Sequence, residues 1–163
     1  MAKPNVLIRS KKNKAIELLN NNKLREADAL FAAVCQAAPT DVESWVMRGL
    51  IHRKLGQFSD SETCCHRALQ YRPDYAWGYH VMGSALQCQG RMDESLACYR
   101  KAIGLAPNYA ESHYFLANAL REVGGMGEAV ASYRQAIKLQ PNYVEALCNL
   151  GAVLTALGEV QEA

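Results

Sequence analysis

The chain reads PNYAESHYFLANALREVGGMGEAVASYRQAIKLQ at residues 107–140 and then begins the same pattern again with PNYVEALCNLGAVL at residues 141–154. Proline returns at this interval of 34 residues along most of the sequence, at Pro39, Pro73, Pro107 and Pro141. Small residues recur in the same register, at Gly49, Gly83, Ala117 and Gly151 and again at Ala68, Ala102 and Ala136. A fixed period of this length is the signature of a stacked repeat array, which has no single central core.

Within each unit the apolar residues have helical spacing, interrupted by glycine near the middle and by proline at the end. The second unit is therefore predicted to form a helix from about Val42 to Leu55, a turn at Gly56 and a second helix from about Asp60 to Tyr71. Three pairs have the spacing of a capping box, so the first member of each is predicted to be a helix N-cap: Thr40 with Glu43, Asn108 with Glu111, and Asn142 with Glu145. The predicted fold class is all-α.

Composition narrows the possible classes of protein. The 163 residues are 50% hydrophobic and 21% charged, and the net charge is +2, which fits a soluble, packed protein without a global attraction to nucleic acid or membrane. No apolar run approaches the ~20 residues of a membrane span, and the first residues lack the apolar run of a secretory signal. The six cysteines show no C-x-x-C pair and no spacing to histidine that would build a zinc site. We expect a cytoplasmic protein with no metal and no cofactor.

The complete unit is similar to a known family. It has an aromatic residue early (Trp45 or Tyr79), glycine or alanine four residues later, a central glycine, a later alanine and a closing proline, and in this it resembles the tetratricopeptide repeat. The resemblance implies an α-solenoid of antiparallel helical hairpins that forms a right-handed superhelix. Residues 1–163 are then a single array, with units at 8–41, 42–75, 76–109 and 110–143 and an incomplete fifth unit at 144–163.

Two units depart from the family pattern. In the first, Lys11, Lys14 and Asn22 stand where other units have aromatic, large apolar and glycine residues, so this unit is interpreted as a degenerate N-terminal cap. In the second, Arg48 and His52 replace large apolar residues. The second hairpin is therefore predicted to be less securely packed than the others.

The resemblance also implies a concave groove lined by the first helix of each unit, at the second, fifth, sixth, ninth, twelfth and thirteenth positions. The residues predicted to form the binding groove are Val46, Met47, Leu50, Trp77, His80, Val81, Ser84, Tyr114, Phe115, Asn118, Arg121 and Asn149. Much of this set is apolar, and an exposed apolar stripe usually marks a binding site. The alternative is that the N-terminal segment, a neighbouring molecule or tight packing between repeats covers the stripe.

The sequence stops at Ala163, where the second helix of the fifth unit should begin, so we interpret the chain as a fragment of a longer protein. The first helix of that unit would then lack its partner and expose apolar surface. The predicted self-association edge consists of Leu147, Leu150, Leu154 and Leu157.

Two better-defined family sites can be compared with these residues. The family's two-carboxylate clamp requires lysine, asparagine and arginine at five positions, which here hold Lys12, Ile16, Met47, Trp77 and Val81. The clamp is therefore absent. The other site is the asparagine ladder of the protein O-linked N-acetylglucosamine transferases, whose repeats the later units resemble, and only Asn118 and Asn149 fall on ladder positions.

Three functions remain open at this point. The first is a non-catalytic scaffold that binds an extended peptide or a partner helix of another protein in the groove. The second is self-association into a homo-oligomer, and the third is the substrate-selecting arm of a larger glycosyltransferase or other transferase. Each follows from the resemblance and from the residues above, and fold alone does not separate them.

Catalysis within this segment is not expected. The four histidines are scattered, His52 and His113 occupy packing positions, and no phosphate loop, nucleophile elbow or carboxylate pair is present. The first 25 residues hold seven basic residues against Glu17 alone. This basic end has no interleaved aromatic residues, so we interpret it as a solvated cap and expect no nucleic acid partner.

Overall fold

The computed structural model describes residues 4–158, and this part of the chain folds into nine α-helices. They are α1 (Pro4–Asn20), α2 (Leu24–Ala37), α3 (Val42–Lys54), α4 (Phe58–Tyr71), α5 (Ala76–Cys88), α6 (Met92–Leu105), α7 (Ala110–Glu122), α8 (Met126–Leu139) and α9 (Val144–Ala156). Helices α1 to α8 pack as four successive hairpins, and α9 packs on α8. The odd-numbered helices also contact one another, α3 with α5 and α5 with α7. The predicted all-α solenoid is confirmed.

Each hairpin turns through one residue in the left-handed backbone region, and the chain leaves α9 in the same way. Gly56, Gly90, Gly124 and Gly158 have φ between 76° and 81°, which glycine adopts without the steric cost of a Cβ atom. In the first unit Asn22 occupies the same position with a φ of 57°, and asparagine tolerates this region better than most residues. The degenerate first unit therefore keeps the turn geometry of the other units.

The predicted helix caps were wrong. At the start of α3 the N-cap is Asp41, whose side chain accepts a hydrogen bond from the Ser44 backbone nitrogen at 3.0 Å, so Thr40 lies one residue too early. Helices α7 and α9 follow Tyr109 and Tyr143, and neither start has a side-chain cap. Asn108 and Asn142 thus stand outside the cap position, because each helix begins one residue later than the capping box requires.

Close packing between the two helices of a hairpin depends on small residues, as predicted. A Cβ atom added at Gly83 would lie 3.1 Å from the Tyr99 ring and 3.2 Å from the Cys98 Cβ atom, closer than ordinary van der Waals contact. The residue facing this point in the core recurs with the period of the repeat, as Phe31, Cys65, Tyr99 and Tyr133, all of them buried. The core is therefore a stack of similar layers, and the second unit has the smallest side chain in its layer.

The second unit is held by polar contacts where other units have apolar ones. The Arg48 guanidinium donates to the Asp28 carboxylate at 2.8 Å, and His52 Nδ1 lies 2.8 Å from the Gln57 side-chain oxygen. His52 Nε2 is also 3.6 Å from Asp28. The substitutions that predicted a loose hairpin instead form a network that joins the second unit to the first.

Some predicted features lie outside the described residues. These are residues 159–163 of the fifth unit and Lys3 of the basic end. Within residues 4–158 no helix has both the length and the apolar character needed to span a bilayer.

Candidate functional site

Two adjoining cavities open on the face of the solenoid formed by α3, α5, α7 and α9. The first, which we call the apolar cavity, has a volume of about 150 Å³ and lies between Leu50, Trp77 and Phe115. The second, the polar cavity, has a volume of about 470 Å³ and reaches from Arg53 to Arg121 and Asn149. Arg53, Ser84 and Phe115 border both cavities, so together they form one continuous depression, which we call the groove.

Ten of the twelve predicted groove residues line these cavities. They are Leu50, Trp77, His80, Val81, Ser84, Tyr114, Phe115, Asn118, Arg121 and Asn149. The structure does not bring Val46 and Met47 to the groove, because Val46 is fully buried and Met47 packs against the apolar cluster of the first unit.

Depth divides the ten residues into two groups. His80, Val81 and Ser84 are buried, with 5%, 1% and 6% exposure, so they form the floor of the groove and cannot offer much surface to a ligand. The other seven are half-buried and accessible from solvent. The apolar stripe expected from sequence is therefore partly covered by packing between neighbouring repeats, which was the alternative interpretation, and partly open.

Aromatic rings in contact connect two neighbouring repeats along the groove and reach the residue before α9. Trp77 stacks on His80 with ring centres 4.8 Å apart, and the edge of Phe115 meets His80 at 5.0 Å. Phe115 then contacts Tyr114 at 5.3 Å, and Tyr114 contacts Tyr143 at 4.9 Å. Edge-to-face and stacked pairs of this kind hold each ring in a defined orientation, so the groove surface is preorganised.

His80 is a structural member of this ring system. Burial and, secondarily, the positive charge of Arg53 lower the pKa of His80 to about 4, so the imidazole is neutral near pH 7. Its Nδ1 atom lies 3.3 Å from the Ser112 hydroxyl oxygen. A neutral, enclosed histidine with a hydroxyl neighbour stabilises the packing of α5 on α7 and is not arranged for acid–base chemistry.

The two predicted ladder asparagines bond to each other. Asn149 Nδ2 donates to Asn118 Oδ1 at 3.0 Å and is 3.3 Å from the Tyr114 hydroxyl oxygen. The Tyr133 hydroxyl also donates to Asn118 Oδ1. Both hydrogen bonds end on the Asn118 oxygen, so its amide NH₂ group is directed away from them. That NH₂ group makes no hydrogen bond to any described residue.

A third, apolar pocket of about 370 Å³ lies beside the groove, between Tyr75, Ala76, Trp77, Ala106 and Tyr109. Reasoning from the family's groove positions missed Tyr75 and Tyr109, because both residues immediately precede a helix. The signal that could have found them is the recurrence of tyrosine at Tyr75, Tyr109 and Tyr143. Burial, followed by the charge of Glu111, raises the pKa of Tyr143 to about 12, so this hydroxyl stays protonated.

The predicted self-association edge is divided by the way α9 packs. Leu154 is completely buried and Leu150 packs against the apolar cluster of the last repeats. Leu147 and Leu157 are exposed, at 46% and 43%, and so is Val144 at 63%, which the sequence reasoning did not include. Leu154 lies on the face of α9 that contacts α8, so it is unavailable to a second chain.

The basic end is partly neutralised by nearby carboxylates. The Lys12 ammonium group lies 2.9 Å from both Asp41 and Glu43, and Lys14 lies 3.0 Å from Glu17.

The buried cysteines are not poised to react as thiolates. Burial raises the pKa of the Cys35 thiol to about 12 and of Cys64 to about 11. Across residues 4–158 no group of histidine, cysteine and acidic side chains is arranged to hold a metal ion.

The geometry so far defines a helical repeat protein with a preorganised surface groove, and comparison with known sequences identifies its family. A tetratricopeptide repeat model matches residues 42–75, and a second TPR repeat model matches residues 83–124 and 117–158. The chain belongs to the tetratricopeptide repeat family. The sequence matches none of the curated proteins.

Solved structures of similar fold come from several organisms. TTC0263, a thermophilic TPR protein of Thermus thermophilus, has a TM-score of 0.82 at 20% identity, over 95% of this chain and 85% of its own. MamA of Desulfovibrio magneticus RS-1 has a TM-score of 0.80 at 17% identity, over 95% of this chain and 88% of its own. The first TPR of Spaghetti (RPAP3), bound to the HSP90 peptide SRMEEVD, has a TM-score of 0.69 at 20% identity, over 72% of this chain and 94% of its own.

At these identities the similarity shows the fold alone. Neither the family models nor these structures support the specific resemblance to the O-linked N-acetylglucosamine transferase repeats. Without that resemblance, the role of transferase arm has no remaining support.

Proposed function

We propose that the protein is a non-catalytic scaffold that binds an extended peptide segment of a partner protein in the groove. The observation that carries this proposal is the accessible aromatic and apolar surface around the apolar cavity, formed by Leu50, Trp77 and Phe115. Such rigid, half-buried aromatic residues beside a small cavity are typical anchor points in protein interfaces.

The position of the groove supports a peptide over a small molecule. The groove crosses four repeats, from Leu50 to Asn149, and is open along its length, whereas small-molecule sites enclose most of their ligand. An apolar side chain of the peptide would enter the apolar cavity. The free amide NH₂ of Asn118 would donate to a peptide carbonyl in the polar cavity.

A structural relative provides a precedent with different chemistry. The RPAP3 repeat has the same fold and was solved with an HSP90 peptide. In this chain Lys12 already pairs with Asp41 and Glu43, and the remaining clamp positions hold Ile16, Met47, Trp77 and Val81. We therefore expect a peptide that is recognised through the centre of the groove and not by a C-terminal clamp.

A displayed library of random decapeptides, selected on the wild-type protein, tests the proposal. The enriched peptides should bind the double variant Leu50→Ala and Phe115→Ala at least about tenfold more weakly, because both substitutions remove contact area at the apolar cavity. Tyr71→Ala is the matched control, since Tyr71 is an exposed aromatic residue on α4 outside the groove. Circular dichroism establishes that all three proteins are folded.

Equal binding of the enriched peptides to the wild type and to the groove variant would refute the proposal. Loss of binding in Tyr71→Ala alone would move the site to the other face of the solenoid.

Self-association is the second candidate, and one observation favours it. Val144, Leu147 and Leu157 expose apolar surface at the same end of the solenoid. Light scattering across a wide concentration range should then show a dimer that the double variant Val144→Ser and Leu147→Ser abolishes. A monomer at every concentration would exclude this candidate without affecting the groove.

A further inference from the structure

Two arginines border the polar cavity without an ionic partner. Arg53 on α3 and Arg121 on α7 occupy the same position of their repeats, and both are half-buried. Neither forms an ion pair with any described residue. The contrast is with Arg48, whose side chain is only 20% exposed and lies 2.8 Å from Asp28. Pairing of a half-buried guanidinium group is what the cost of desolvating a charge leads us to expect.

Several hydrogen-bond acceptors of the polar cavity already have a donor. The Asn118 oxygen accepts from Asn149 and Tyr133, and the Gln87 side-chain oxygen accepts from the Tyr99 hydroxyl at 3.1 Å. Glu122 accepts from the Gln87 amide at 2.7 Å. Among the side chains that line the cavity, the donors without a partner in residues 4–158 are two guanidinium groups with five N–H bonds each and the Asn118 NH₂, whereas the open acceptors are fewer and include the Asn149 side-chain oxygen. The cavity therefore presents an excess of donors over acceptors.

The ionised side chains that line the polar cavity give it a net positive charge. Arg53, Arg121 and Glu122 are the only ionised side chains among the described residues that line the polar cavity, so its net charge is +1. The second carboxylate of the groove, Glu111, borders the adjoining apolar cavity. A guanidinium group binds a carboxylate through two parallel hydrogen bonds, a geometry that neutral ligands do not match. The ligand best suited to this cavity is rich in acceptors and negatively charged.

We propose that the peptide bound in the groove is acidic, with side-chain carboxylates of aspartate or glutamate paired to Arg53 and Arg121 while a neighbouring apolar residue occupies the apolar cavity. This inference rests on the proposed function and adds the chemistry of the partner. Carboxylates fit better than a phosphate group, because Glu111 and Glu122 border the same groove and repel a dianion more strongly than a monoanion.

Three pools of fluorescein-labelled, C-terminally amidated decapeptides test the inference by fluorescence anisotropy. All contain a central Leu-Phe pair within Gly, Ser and Ala positions, and two positions on each side of the pair are Glu in one pool, Gln in the second and Lys in the third. The Glu pool should bind about tenfold more tightly than the Gln pool at low salt. This preference should decline as salt screens the charges.

Charge exchange identifies the residues responsible. Arg53→Gln with Arg121→Gln should remove the preference for the Glu pool, and Arg53→Glu with Arg121→Glu should transfer it to the Lys pool. The matched control is Arg25→Gln with Arg67→Gln, which changes the net charge equally at exposed positions on α2 and α4. That control should bind like the wild type.

Each other outcome overturns the inference in a distinguishable way. If the Gln pool binds the wild type as tightly as the Glu pool, and Phe115→Ala weakens both, the acidic preference is wrong while the groove function stands. If no pool binds, both the acidic preference and the groove function fail. A fourth pool, with phosphoserine at the same variable positions, is compared with the Glu pool. Tighter binding of the phosphoserine pool would mean that the ligand is a phosphopeptide and not a carboxylate-bearing peptide.

Discussion

The groove and the contact between the first two repeats differ in how their charged side chains are paired. Near the N-terminus, Lys12 is paired with two carboxylates and Arg48 is paired with Asp28. Around α5 and α7 the rings of Trp77, His80 and Phe115 pack together, and the nearby Arg53 and Arg121 have no ion pair within residues 4–158. One repeat pattern can therefore produce a closed, ion-paired region and an open, aromatic one.

The difference has a physical origin in the side chains that fill equivalent positions. The charged groups of the N-terminal surface already have partners of opposite charge, so a charged ligand would gain little binding energy there. Preorganised rings and unpaired donors in the middle can still gain contacts. This asymmetry is why we propose α3, α5, α7 and α9 as the binding surface although every repeat has the same fold.

The largest expected effect concerns the repeated core layer. Tyr99→Ala should lower the free energy of unfolding by about 3–5 kcal/mol, because it removes a fully buried ring and leaves a cavity. Cys65→Ala, at the equivalent position of the second unit, should cost only about 1 kcal/mol, because little volume is lost. Urea unfolding followed by circular dichroism measures both values.

Equal losses for Tyr99→Ala and Cys65→Ala would contradict the view that each core layer contributes to stability according to the size of its buried side chain. Tyr71→Ala serves as the control for the loss of an exposed ring, and its effect should stay within about 0.5 kcal/mol.

The next effect is a pH dependence that arises in the aromatic middle. The pKa of His80 is about 4 in the folded protein and 6.5 as its ordinary value. The unfolded chain therefore takes up the proton first, and stability falls as the pH decreases from 6.5 to 4. The full loss of unfolding free energy is about 3 kcal/mol. This loss is absent above pH 7, where the imidazole is neutral in both states.

His80→Phe keeps a ring between Trp77 and Phe115 and removes the titration. Its unfolding free energy should therefore change less than that of the wild type between pH 7 and pH 4, as determined by urea denaturation at each pH. Parallel curves for the two proteins would show that His80 is not shielded as described.

Local chemistry explains how much of the fold the sequence predicts. Each turn requires a residue with positive φ, and Gly56, Gly90 and Gly124 supply it. The period and the hairpins can therefore be deduced without tertiary information. Helix caps failed for the opposite reason, since a shift of one residue exchanges Asn108 for Tyr109 at the cap. A shift of one residue in the helix start leaves the 34-residue period unchanged, but it changes which residue is the N-cap.

The groove required information that no single repeat contains. Val46 and Val81 lie beneath the groove or at its surface according to how closely neighbouring repeats approach. The sequence pattern is the same in both cases. The unpaired state of Arg53 and Arg121 likewise depends on which carboxylates lie near them in space. Positions of groove residues were therefore predictable from the repeat register, while their accessibility and pairing were not.

The smallest expected effect tests the ion-paired region. Lys12→Met should lower the unfolding free energy by about 1 kcal/mol or less at pH 7, because the Lys12 ammonium pairs with the partly exposed Asp41 and Glu43. Burial raises the pKa of Asp41, but its hydrogen bonds, chiefly to Lys12 and Ser44, outweigh burial and lower that pKa below its ordinary 3.8.

A carboxylate with a lowered pKa stabilises the fold above about pH 4, and this contribution disappears as the pH falls through its folded-state pKa. The difference between the wild type and Lys12→Met should therefore be constant from pH 7 to about pH 5 and shrink towards pH 3. Lys14→Met, whose partner Glu17 is exposed on the same helix, is the control and should show almost no difference. A gap between wild type and Lys12→Met that widens in acid would assign the stability of this region to something other than its ion pairs, and the contrast with the aromatic middle would lose its electrostatic basis.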